Sequence, residues 1–101
     1  MAQFRPEDDQ PLAEVAHKSM YYVYLLKSLL NDKSYVGYTS KSPVARLKEH
    51  NRGVSKFTKN NMPWKLVYYE VLHCKKCAME REKFYKVGVG KKIKKMILAN
   101  I

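Results

Sequence analysis

Five side chains in this sequence have the chemical kinds and spacings that catalysis uses: Tyr24, Tyr35, Arg46, His50 and Glu82. Tyr24 and Tyr35 are phenols, which can give or take a proton when their surroundings shift their pKa. They lie in two apolar segments joined by the turn signal Asn31-Asp32. A hairpin there brings the two rings side by side, with Gly37 leaving open space next to them. Arg46 and His50 are four residues apart, so they share one helix face. A guanidinium on that face can brace an anionic oxygen; the plainer reading is a solvated Arg–His pair. Glu82 falls on one helical stripe with Ala78 and Tyr85. Its carboxylate is therefore aimed partly inward, which is costly unless it pairs with an arginine or holds a metal ion.

The elements that must position these groups follow from local pattern. Met20 to Leu26 is almost wholly aromatic, β-branched or aliphatic, and predicts a strand near 20–27. Ser34 to Tyr38 predicts its antiparallel partner. Alternation puts Tyr22, Tyr24 and Leu26 on one face, and Tyr35 and Gly37 on one face. Ser42 and Pro43 are a cap and a first helical residue, so a helix near 43–52 should run to Gly53. Val54 to Pro63 reads as a polar loop whose Lys56, Thr58 and Lys59 either touch phosphates or face water. Trp64 to Leu72 predicts a third strand, apolar on both faces and so covered on both sides. A helix near 75–87 should stop at Gly88. A basic amphipathic helix near 90–98 carries Lys91, Lys92, Lys94 and Lys95, either as a phosphate-binding surface or as the wet face of a docked helix. The fold class is α/β in the α+β sense: a three-stranded antiparallel sheet packed by about three helices.

The chain has 101 residues and a net charge of +11. That length makes one domain. Residues 1–19 hold two basic and four acidic side chains, so the rest carries +13. Residues 1–19 read as a flexible N-terminal extension, and 20–101 as the folded domain. An excess of this size suits a polyanion, nucleic acid above all. No apolar run approaches the roughly 20 residues that span a bilayer, and the N-terminus has no apolar signal segment. The expectation is a soluble, intracellular, cytoplasmic protein with no membrane partner. Cys74 and Cys77 form a single Cys-x-x-Cys, without the second pair that a structural zinc site needs. They read as two plain thiols near a helix start.

Taken in order, these residues resemble the GIY-YIG nuclease superfamily, and most closely its small single-domain members, similar to the nuclease domain of the excision-repair excinuclease. Tyr22-Val23-Tyr24 stands where the first triplet belongs and Tyr35-Val36-Gly37 where the second belongs. Arg46-Leu47-x-Glu49-His50-Asn51, Pro63-Trp64-x-Leu66-Val67-Tyr68-Tyr69-Glu70, Ala78-x-x-x-Glu82-Lys83 and a closing Gly-x-Gly-Lys-Lys follow. The likeness covers about residues 20–98. It departs at Tyr22, where the triplet has Gly.

The resemblance implies a metal-dependent endonuclease that hydrolyses phosphodiester bonds in DNA, structure-directed and linked to repair or processing. Tyr24, Tyr35, Arg46, His50 and Glu82 would be the catalytic residues. Glu82 would hold one Mg²⁺ or Mn²⁺ with water and phosphate completing its shell. A phenol of depressed pKa, Tyr24 or Tyr35, would take the proton from water. Lys56, Thr58, Lys59, Lys91, Lys92, Lys94 and Lys95 would bind the nucleic-acid backbone. The expected partner is DNA, nicked or branched, with RNA as the other polymer. The alternative function is a nucleic-acid-binding module, or partner protein, that does not cleave.

Overall fold

A computed structural model describes residues 20–100, in which three antiparallel strands make one sheet of order β2-β1-β3. The strands are β1 (Tyr21–Ser28), β2 (Ser34–Thr39) and β3 (Trp64–Leu72); the helices are α1 (Pro43–Asn51), α2 (Lys75–Phe84) and α3 (Gly88–Ala99). This is the expected α+β architecture. The flexible extension assigned to residues 1–19 lies outside the described residues.

β1 is central because both of its faces are apolar. Val23, Tyr24, Leu25 and Leu26 are all buried, and each such side chain contributes about 1.5–3 kcal/mol relative to exposure. Tyr24 stands opposite Gly37 of β2 and Tyr69 of β3, while Leu26 stands opposite Tyr35. An irregularity between Leu25 and Leu26 shifts the β3 register, so Leu26 meets Leu66. One face carries Tyr24, Leu26, Tyr35, Trp64 and Leu66 beneath Leu47 of α1. The other carries Val23, Leu25 and Val36 against Ala78, Tyr85, Ile97 and Leu98 from the α2–α3 side.

Helix α1 starts as its sequence dictates. The Ser42 hydroxyl accepts the Ala45 N–H at 3.1 Å, and Pro43 is the first helical residue. Gly53 ends the helix in the left-handed region, at φ 77°. Asn51 then ties α1 to the sheet. Its Oδ1 accepts the Trp64 N–H at 2.7 Å and its Nδ2 donates to the Trp64 carbonyl at 2.9 Å.

Three expectations are corrected. β3 is an edge strand whose α1-side face is covered at Trp64 and Leu66 but open further along, where Tyr69 and Val71 are 51% and 44% exposed. α2 ends at Phe84, short of 87, because Tyr85 turns into the core and hydrogen bonds to Glu70. Gly88 therefore opens α3 at φ 56° instead of stopping α2. Cys74 and Cys77 are not two plain thiols. They are joined in a disulfide at the start of α2, where the Cys74 sulfur also accepts the Cys77 N–H. The first helical turn brings residues three apart within bonding reach of each other.

Candidate active site

The Tyr24, Tyr35 and His50 rings meet on the α1 side of the sheet, with centroids 5.1–6.2 Å apart. Strand alternation sends both tyrosines to this face, and α1 lowers His50 onto them from above. His50 is fully buried, so the reading of a solvated Arg–His pair is overturned. Its Nε2 lies 2.8 Å from the Tyr24 hydroxyl and its Nδ1 lies 2.7 Å from the Thr58 hydroxyl. The Thr58 hydroxyl donates onward to the Ser55 carbonyl at 3.4 Å. That network assigns the tautomer: Nδ1–H donates to Thr58, and Nε2 accepts from Tyr24.

The protonation states follow from burial. Desolvation by burial, then the nearby Arg46 charge, push the His50 pKa down to about 4, so the ring is neutral near pH 7. Burial raises the Tyr24 pKa well above its ordinary value; Tyr35 adds to this, Arg46 opposes it and Glu82 adds a little more. The expected phenol of depressed pKa is therefore not found at Tyr24. It remains a phenol and a hydrogen-bond donor because its ring sits in the core.

Gly37 does not leave a vacant space. A Cβ there would stand 2.6 Å from the Tyr24 Oη and 2.9 Å from a Tyr35 ring carbon, so the two phenols already occupy the volume that any side chain would take. Arg46 lies within electrostatic reach of Tyr24. Its Nη1 donates to Glu49 at 2.7 Å, and Glu49 also pairs with Lys41. Glu49 thus aims the guanidinium. Its i,i+3 spacing from Arg46 is the signal in the sequence that could have found it.

Arg46 and Glu82 come from helices that pack on opposite faces of the sheet, α1 over Leu26 and Trp64 and α2 over Val23 and Val36; the charges of both bear on the Tyr24 phenol, that of Glu82 least. Among the described residues, Glu82 has no arginine partner; its contact is Lys86 at 3.4 Å, with the Glu82 side chain 21% exposed. A carboxylate so loosely paired suits a hard divalent cation that completes its shell with water and phosphate. Among the described residues, no three His, Cys, Asp or Glu side chains cluster as metal ligands. The carboxylate that pairs with an arginine of α2 is Glu70 instead. It receives Arg81 at 2.8 Å, Tyr68 at 2.7 Å and Tyr85. Burial pushes the Glu70 carboxyl up, and these hydrogen bonds outweigh it, holding it below the ordinary value. That network welds α2 to β3 on the face away from His50.

The expected nucleic-acid contacts divide. Lys56, Lys59, Lys91, Lys92 and Lys95 are exposed, and Lys94 is half-buried. Burial and then the charges of Lys91, Lys86 and Lys95 lower the Lys94 pKa, marking a dense basic cluster. Lys86 links that cluster to Glu82. Thr58 is the correction: it is 0% exposed and cannot reach a phosphate. Its hydroxyl is committed to His50, a role that no local pattern shows because the partners are eight residues apart across a helix end.

Residues 20–95 match the GIY-YIG catalytic domain. A UPF0213 protein of Clostridium perfringens is 40% identical over 68 residues, covering 66% of this chain and 71% of that protein. A UPF0213 protein of Streptococcus pyogenes is 40% identical over 67 residues, covering 64% and 70%. A structure-specific endonuclease subunit SLX1 homolog of Drosophila ananassae is 41% identical over 71 residues; the match covers 61% of this chain but 23% of that protein.

Proposed function

The chain belongs to the GIY-YIG family, and from that premise we propose that it is a nuclease hydrolysing phosphodiester bonds in DNA, dependent on a divalent metal ion, directed by DNA structure, and serving repair or processing. The observation that carries the reading is the hydrogen-bonded chain Tyr24–His50–Thr58, with the Arg46 charge and, least, the Glu82 charge bearing on its phenol. The name of the SLX1 homologs supports the structure-directed part. The +13 carried by residues 20–101 supports a nucleic-acid substrate.

A water attacking phosphorus must lose a proton. In this mechanism the Tyr24 oxygen takes it while the phenol proton passes to Nε2 of His50. The Thr58 contact keeps Nε2 an acceptor, and the resulting imidazolium carries a proton on each nitrogen. As the P–O bond to the leaving nucleotide oxygen breaks, that oxygen takes a proton from solvent; burial makes the imidazolium costly, so the proton on Nε2 returns through Tyr24 to solvent. Arg46 presents a planar fork to the oxygens on which charge develops. Tyr35, half-exposed beside His50, donates to a phosphate oxygen. Glu82 would hold Mg²⁺ or Mn²⁺, which supplies Lewis-acid polarisation of the phosphate when bound.

The buried, protonated state of Tyr24 is what favours the second reading, a nucleic-acid-binding module that does not cleave. Incubation with supercoiled plasmid, linear duplex and branched DNA, in Mg²⁺ or Mn²⁺ and in EDTA, separates the two. Ion-dependent nicking or branch cleavage that the Arg46→Ala variant lacks is the expected result. Binding without cleavage under every ion condition refutes the nuclease.

A further inference from the structure

Phe57 is 77% exposed, more than any other large apolar side chain among the described residues. A single exposed apolar residue is ordinary on a protein surface. Phe57 differs in its setting. It is a central residue of a turn closed by the Thr58 and Lys59 N–H groups on the Ser55 carbonyl, at 3.2 and 3.1 Å. The turn is anchored from below, because Thr58 is buried and its carbonyl accepts the Trp64 indole N–H at 2.9 Å. The exposed ring therefore stands on a turn that is hydrogen-bonded to the body of the domain. Exposed Lys56 and Lys59 flank it. The next residue, Thr58, is the one that holds His50 at 2.7 Å, and His50 holds Tyr24 at 2.8 Å. An exposed aromatic ring with exposed lysines one and two residues away in the chain, next to the residue that supports His50, is equipped to meet a nucleobase and its phosphates together.

We infer that Phe57 is a wedge that stacks on the nucleobase at a boundary between paired and unpaired DNA, setting that boundary beside the cleaved phosphate. The inference deepens the nuclease reading and rests on it for the identity of the substrate. A duplex interior offers no free base face. A flap or branch does, and there an aromatic ring gains stacking without needing a particular base. Lys56 and Lys59 would track the phosphates on either side. The recognised chemistry is thus base planes at a junction rather than sequence.

The test uses the full chain in EDTA, so that binding is read without cleavage. Flapped DNA carrying 2-aminopurine at successive positions across the junction is titrated beside blunt duplex at one fixed salt concentration. The parent should bind the flap more tightly than the duplex and should change 2-aminopurine emission at the junction position. Phe57→Ala should lose about tenfold or more in affinity for the flap, lose the emission change, and keep its duplex affinity within about twofold. Phe57→Tyr, which retains the ring, should behave as the parent. Because the side chain is exposed, the Ala variant should keep the parent Tm, which a thermal melt checks. Equal losses on flap and duplex, or no loss on either, overturn the inference, as does a parent that does not prefer the flap. A Phe57-dependent junction signal in a protein that cleaves under no ion condition leaves the wedge standing and refutes the nuclease.

Discussion

Gly37→Ala probes the site through its most crowded contact. The added methyl would lie 2.6 Å from the Tyr24 Oη, 2.7 Å from its Cζ and 2.9 Å from a Tyr35 ring carbon. Comfortable contact needs about 3.5 Å, so the Tyr24 phenol must retreat by roughly 0.8 Å. Gly37 cannot yield instead, because it sits in the β2 ladder directly opposite Tyr24. The ring itself is packed to 1% exposure. Overpacking of this kind costs about 1–3 kcal/mol. The smaller entropy of the unfolded chain returns about 0.4–1 kcal/mol of it. A net loss of about 1–2 kcal/mol is expected, read as a lower urea midpoint at unchanged slope. The same retreat stretches the 2.8 Å contact between Tyr24 and His50. Cleavage should fall about 10²-fold, the scale of an ångström misplacement in an active site. Single-turnover cleavage of branched DNA measures that loss beside the urea titration. A variant with the parent's midpoint and full rate would refute the crowding argument and the role of Tyr24 together.

Three further outcomes are expected. Arg46→Ala should bind DNA within a few-fold of the parent in a gel-shift titration, because Lys56, Lys59 and the α3 lysines remain, while its single-turnover rate drops roughly 10²-fold; Arg46→Lys, lacking the fork, should also be severely impaired, and equal losses of rate and affinity would make Arg46 only another phosphate contact. Glu82→Gln should abolish Mg²⁺-dependent cleavage while leaving DNA affinity equal or higher, since a negative charge near phosphate is lost; a folded variant with full activity defeats the assignment. His50 has a folded pKa of about 4, below its unfolded value near 6.5, so the unfolded chain takes up the proton first. Stability should hold above about pH 6.5 and decline as pH falls toward 4, by an amount on the order of 3 kcal/mol from this group; an NMR titration in which the His50 ring protonates near pH 6.5 in the folded protein would contradict it.

Much of the fold is written locally in the chain. The β-branched and aromatic run at β1, the Ser42–Pro43 start of α1 and the Gly53 stop need only their own neighbours to act, and each is found where the pattern puts it. The ordered motifs also name the five candidate residues, because their types and spacing along the chain are themselves the signal. What spacing cannot supply is environment. His50 reads as exposed and Thr58 as a phosphate contact, yet packing buries both and commits one to the other. An acidified phenol is expected at Tyr24 or Tyr35, yet the core that forms around β1 raises the Tyr24 pKa. Gly37 reads as a gap, yet the register fills it with the two phenol rings beside it. α2 ends early because Tyr85 meets Glu70, fifteen residues back along the chain. The sequence by itself determined which elements form and which side chains are available for chemistry, since helix caps, strand alternation and turn residues act over a few positions. Only the tertiary structure decided which groups are desolvated, which hydrogen-bond partner each one keeps and hence which protons it holds, since those depend on atoms brought together from α1, the loop after it and two strands.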